Sequence, residues 1–145
     1  MINNSLKQFS QMLAKKEISS VELTQAFFQR IDALNPSINA YITLDKDKTL
    51  AQAKTADARI AAGKAEPLTG IPLAQKDIFC AQGWRTTCGS KMLETFIAPY
   101  DAHVISRLRA EDAILVGRTN LDEFAMGSSC ENSAFQKTHN PWKLT

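Results

Sequence analysis

A chain of 145 residues with 44% apolar and 22% charged residues has the size and composition of one globular domain, which excludes a disordered or fibrous polypeptide. Seventeen Lys and Arg face fifteen Asp and Glu for a formal charge of +2, and the cations are dispersed, so the clustered basic footprint of a nucleic-acid binder is missing. No apolar stretch is long enough to span a bilayer, and the start, Met1-Ile2-Asn3-Asn4-Ser5-Leu6-Lys7, lacks the charged region and apolar run of a signal peptide.

The first predicted element runs from Ser5 to about Lys16, with Leu6, Phe9 and Leu13 on one helical face. Ser19-Ser20-Val21-Glu22 has capping-box form and opens a second helix. Its stripe of Val21, Thr24, Phe27, Phe28, Ile31 and Leu34 is expected to stop at Asn35-Pro36, where proline opposes continuation. Asn39 to Leu44 alternates like a short strand. Lys46 to Ala62 carries Leu50, Ala53, Ala56 and Ile60 at helical spacing, and Gly63 stands where a helix C-cap belongs.

Beyond Gly63 the pattern changes. Leu68 to Phe79 is an apolar, glycine-punctuated run that reads as a strand leaving a turn. Asp101 is placed to cap a helix with Val104, Ile105 and Leu108. Ala113-Ile114-Leu115-Val116-Gly117 reads as a strand buried on both faces, and Asn120-Leu121-Asp122-Glu123 opens a short helix with cap-like spacing. Helices alternating with apolar strands predict an α/β fold, a sheet with helices packed outside. The expected division is a helical segment over about 1–63 and a sheet segment over about 64–145.

Lys76 is the first candidate for chemistry. It ends an apolar run behind a turn set by Gly70 and Pro72, so a water-poor site is conceivable there. Burial disfavours the charged amine, and a neutral amine is a competent general base. The competing reading is a solvated charge pair of Lys76 with Asp77. The second candidate is Arg118 to Ser133, where hydroxyls, amides and Gly127 crowd a loop that could offer N–H groups to a small polar ligand. Its competitor is a polar turn whose side chains bond their own backbone.

The remaining candidates are weaker. Cys80, Cys88 and Cys130 have no C-x-x-C spacing and the histidines, His103 and His139, stand apart, so no metal site is expected. The three cysteines are read as reduced thiols of a cytoplasmic protein. Trp84 and Trp142 read as packing or interface residues.

Taken together, three blocks resemble the amidase signature family. They are Gly70-Ile71-Pro72-Leu73-Ala74-Gln75-Lys76-Asp77, then Arg118 to Ser129 with Glu131-Asn132-Ser133, then Asn140-Pro141-Trp142. The string Asp122-Glu123-Phe124-Ala125-Met126-Gly127-Ser128-Ser129 is similar to the amidase subunits of tRNA-dependent amidotransferases. The resemblance implies the N-terminal part of a single amidase domain, an incomplete mixed β-sheet flanked by helices. It implies a glutaminase half-reaction run by a lysine, a bridging serine on a cis peptide and a nucleophilic serine, with Lys76 at the lysine position.

The same resemblance places Met126, Gly127 and Ser128 near the glutamine. It implies subunits B and C as partners, with charged tRNA met mainly through a partner. No cofactor is expected on this chain, ATP with Mg being used on the partner; Gln-tRNA or Asn-tRNA is the product. Cys130 departs from the family pattern, which has a hydroxyl residue there. The Gly/Ser-rich signature that holds both serines is expected beyond Thr145, so the chain reads as an inactive piece of a catalytic subunit. The alternatives are a piece of another amidase-signature hydrolase of small amides, or a non-catalytic segment that only binds a partner.

Overall fold

The computed structural model of the chain describes residues 3–144. Helix α1 (Leu6–Ala14) begins at a reciprocal capping box: the Ser5 hydroxyl accepts from the Gln8 N–H at 3.3 Å, and the Gln8 side chain accepts from the Ser5 N–H at 2.7 Å. Helix α2 (Ser20–Ile38) starts with the expected box, Ser19 Oγ accepting the Glu22 N–H and Glu22 Oε2 accepting the Ser19 N–H. A second anchor was not legible locally. Asp57 accepts the N–H groups of both Ser20 (2.6 Å) and Val21 (3.1 Å), so a neighbouring helix satisfies α2's first-turn donors.

The expected stop of α2 at Asn35-Pro36 is corrected: the helix runs through Pro36 to Ile38. Proline removes only its own donor, and here little helix remains to be disturbed. The Asn39 N–H still reaches Asn35 O at 2.7 Å, and Asn39 then takes a positive φ of 57° and turns the chain. Asn is one of the few residues that tolerates this region.

Strand β1 (Tyr41–Leu44) follows, then α3 (Lys46–Ala61), capped by Asp45, whose side chain accepts the Lys48 N–H. It closes with Gly63 at φ 70°, the Gly63 N–H bonding Ile60 O and the Lys64 N–H bonding Arg59 O, a Schellman pattern. Strand β2 (Pro72–Lys76), α4 (His103–Ala110) and β3 (Ile114–Thr119) complete the elements. The sheet has the order β1-β3-β2, with β1 antiparallel to β3. The bonds Ile114 N–H to Ile71 O and Asp77 N–H to Thr119 O advance together along β2 and β3, so that pair runs parallel and the sheet is mixed. The α/β expectation holds.

The chain forms two units. One is built from the chain through Ile31, Asp45–Leu73 and Ser106–Val116. Its core is Phe9, Leu13, Ile18, Leu23, Ile60 and Ile71, with a second cluster of Ala53, Ala56 and Ile114. Thr49, rather than the expected Leu50, sits on the buried stripe of α3, where its hydroxyl donates to Leu115 O at 2.9 Å. The other unit is built from Asp32–Leu44, Ala74–Ile105 and the chain from Gly117 onward. Here β1 lies so close on β3 that a Cβ at Gly117 would stand 2.8 Å from Thr43 O, which only glycine permits. No helix among the described residues is long and apolar enough to cross a membrane.

Candidate active site

All the candidate residues lie in the second unit. Strand alternation decides where each side chain of β2's end goes: Gln75 and Asp77 are buried, and Lys76 between them is exposed. The reading of Lys76 and Asp77 as a solvated pair is therefore corrected. Asp77 is fully buried and accepts instead from Arg118 Nε at 3.0 Å, the Thr87 N–H at 2.9 Å and the Thr87 hydroxyl. Lys76 is exposed within this chain, so these residues alone do not supply a water-poor site around it.

From Arg118, near the end of β3, polar side chains turn inward at alternate positions, and each grips a different segment. Arg118, fully buried, donates to Asp77, to Gln75 Oε1, to Thr86 Oγ1 and to Phe79 O. Asn120 donates to Gln136 O (2.7 Å) and Thr138 Oγ1 (3.0 Å) and accepts from the Ser133 hydroxyl (2.6 Å). Asp122 accepts the N–H groups of Ser129 (3.1 Å), Cys130 (3.0 Å) and Asn132 (2.9 Å).

The cap-like spacing of Asn120 and Glu123 thus does not open a regular helix, and the Asn120 side chain bonds the 136–138 segment instead. The turn that forms there is a single 3-10 turn, Glu123–Ala125, without a side-chain cap bond, and Phe124 within it has a positive φ of 51°. The Asp122 carboxylate is taken by the following loop, a stronger use because three donors converge on one anion. Those bonds hold the Asp122 carboxyl below the usual aspartate range: the N–H groups of Asn132 and Cys130 contribute most, burial opposes them, and the Ser129 N–H and the Lys76 charge add smaller lowerings. The loop's N–H groups at 129, 130 and 132 are therefore committed to a protein anion and not offered to a ligand. At these positions the loop bonds within its own block, as a self-bonded polar turn does.

Met126, Gly127 and Ser128 are exposed, as are Ser129, Glu131 and Asn132 after them. Gly127 lies against the carboxylate so tightly that a Cβ there would come within 2.4 Å of Asp122 Cγ. Gly89, at φ 69°, backs the same block: its added Cβ would be 2.7 Å from Leu121 O, and its carbonyl accepts the Ala134 N–H at 2.8 Å. The Lys76 charge lowers the Asp122 carboxyl slightly, and Asp122 holds the backbone just after the 126–128 segment.

The lesser candidates keep their modest roles. Cys80, Cys88 and Cys130 are free thiols, and burial, with the charge of Asp77, pushes the Cys88 thiol up. Among the described residues no cluster of His, Cys, Asp and Glu could hold a metal ion. Trp84 is buried and Trp142 is almost fully exposed. Sequence reading missed Thr87 and the buried role of Asp77. For Arg118 and Asn120, inside the second candidate block, alternation along the chain was the available signal of burial.

A family model described as Amidase matches residues 22–145. The chain belongs to the amidase family. A protein of Methylobacillus flagellatus, named as the A subunit of glutamyl-tRNA(Gln) amidotransferase, is 68% identical over 142 residues, which is 98% of this chain and 29% of that protein. Among solved structures, the peptide amidase of Stenotrophomonas maltophilia superposes with a TM-score of 0.85 at 33% identity, covering 97% of this chain and 30% of that one. The A subunit of the Thermotoga maritima glutamyl-tRNA(Gln) amidotransferase gives 0.69 at 35% identity, covering 86% of this chain and 25% of that one. This amidase-family chain spans 29% to 30% of the length of the curated relatives it matches.

Proposed function

We propose that this chain is the lysine-bearing part of the glutaminase subunit of a tRNA-dependent amidotransferase. The observation that carries the reading is the 68% identity to an amidotransferase A subunit over 98% of the chain. Lys76 serves as the base that takes a proton, through a bridging serine, as a nucleophilic serine attacks the side-chain amide carbon of glutamine. The C–N bond then breaks and ammonia leaves, and water later releases glutamate. Met126, Gly127 and Ser128 border the glutamine, on a loop held in shape by Asp122.

Subunits B and C complete the enzyme in this reading. The ammonia passes to a partner that activates Glu-tRNA(Gln), or Asp-tRNA(Asn), with ATP and Mg. Nothing in the 145-residue chain is assigned to ATP. The chain by itself is inactive, because both serines lie outside it and a catalytic set loses most of its power when a member is removed. The test is glutamine hydrolysis by the full-length subunit bearing this segment, with and without subunits B and C. Glutamine-dependent Gln-tRNA formation only in the assembled complex supports the reading. Hydrolysis of small amides, without any response to the partners or to tRNA, would overturn it in favour of a hydrolase like the peptide amidase, whose fold superposes well.

A further inference from the structure

We infer that Arg118 is the positioning residue that sets the orientation of Lys76, by gripping the chain on both sides of it. This rests on the proposed role of Lys76 as the base. One guanidinium reaches the residue before Lys76 through Gln75 Oε1, the residue after it through Asp77 Oδ1 at 3.0 Å, and the turn beyond through Phe79 O. The grip is reinforced at Asp77 alone by three further groups. Its N–H bonds Thr119 O at 3.1 Å, its carbonyl accepts the Cys88 N–H at 2.9 Å, and its second carboxylate oxygen accepts from Thr87. With Gln75 and Asp77 both fixed inward, strand geometry leaves Lys76 one direction, outward.

The chemistry of the grip points to geometry as its purpose, since a buried ion pair is by itself weak support for stability and a well-packed apolar pair often does as well. Arginine also has donors only, so it must meet the oxygen of the Gln75 amide. That turns the amide nitrogen away, and Gln75 Nε2 is buried without a hydrogen-bond partner among the described residues. Orientation is held here at the expense of an unsatisfied group. A lysine could neutralise Asp77 but could not span Gln75, Asp77 and Phe79 at once, because its ammonium is a point charge rather than a planar fork.

The experiment uses the full-length subunit in its assembled complex and compares Arg118→Lys, Thr87→Val and Lys76→Arg with wild type. Glutamine-dependent kcat, KM for glutamine and amidation driven by added ammonia are measured for each. Arg118→Lys is expected to lower glutamine-dependent kcat roughly 10- to 100-fold, the scale of a small misplacement of a reacting group. KM and ammonia-driven amidation should stay close to wild type. Thr87→Val removes one bond to Asp77 without changing charge and should lower kcat less, again with KM unchanged. An unchanged kcat in Arg118→Lys overturns the inference, and so does a parallel loss of glutamine- and ammonia-driven activity, which marks a role in folding alone. Should Arg118→Lys not assemble, Thr87→Val decides in the same way. Retention of glutamine-dependent turnover by Lys76→Arg would instead remove the base assignment itself, a separate failure.

Discussion

Gly127→Ala probes the link between the loop and its anchor most sharply. The added methyl would stand 2.4 Å from Asp122 Cγ and 2.6 Å from Asp122 Oδ2. Unstrained carbon contacts lie at about 3.5–4.0 Å, so the overlap exceeds an ångström. The carboxylate cannot swing aside freely, because its two oxygens hold the N–H groups of Ser129, Cys130 and Asn132. Either those bonds stretch or the 126–128 segment moves. Overpacking of this kind destabilises by about 1–3 kcal/mol, which corresponds to roughly 5–150-fold in a local opening equilibrium. Hydrogen–deuterium exchange of a peptide covering 128–133, in the full-length subunit, reads that change directly as lost protection. In an Asp122→Gly background, which also removes Asp122 Cβ at 2.8 Å from the added methyl, the methyl has room and the three donors are already released. Gly127→Ala should then add nothing further. Undisturbed exchange in the single variant, or simple additivity of the two substitutions, would refute the reasoning.

Lys76→Arg in the full-length subunit should be nearly as damaging to glutamine-dependent turnover as Lys76→Ala, since arginine does not give up its proton at usable pH; comparable turnover in the Arg variant and wild type would make Lys76 a structural cation. The isolated 145-residue chain should not convert glutamine to glutamate, and turnover abolished by Lys76→Ala would contradict this. The same chain should show helical circular dichroism, a broad thermal transition and concentration-dependent association, because Met92, Ile97, Tyr100 and Trp142 are more than half exposed; a monodisperse monomer with one sharp melt would argue otherwise. Because the folded Asp122 carboxyl lies below its ordinary value, its support of the loop is present above about pH 3.9 and is lost as pH falls through the lowered folded value. Exchange protection at 129–132 should therefore be flat at neutral pH and collapse only in strong acid, and the collapse should disappear in Asp122→Asn.

What was legible in the sequence was local. The stripes of α1 and α3, the box at Ser19–Glu22 and the Gly63 stop depend on residues within a turn or two of one another, so spacing reveals them. Pro36 misleads because the proline rule holds for helix interiors, and one turn from an end its consequence is small. Asp57 over the start of α2, and Asn120 on the 136–138 segment, are bonds between parts of the chain far apart in sequence, and no local pattern encodes them. The block from Arg118 onward was recognisable as a motif, but its physical content was not. Arg118, Asn120 and Asp122 resemble surface polar residues until it is known that each is buried against a different returning segment. Lys76 could be picked out by resemblance, while its outward direction follows only once Gln75 and Asp77 are known to point in.

That alternation separates two kinds of dependence between neighbouring residues. Substitutions at Gln75, Asp77 or Arg118 act on a closed, buried network and reach chemistry only through geometry. Substitutions at Lys76, Met126 or Ser128 act on the exposed face and leave that network intact. The two classes should differ in what rescues them. A buried variant is repaired by restoring shape and hydrogen-bond fork, as no lysine can at 118. An exposed variant is repaired by restoring function at one atom, whatever the packing. An arrangement of this kind tolerates change in the exposed 126–128 loop while the buried frame stays fixed.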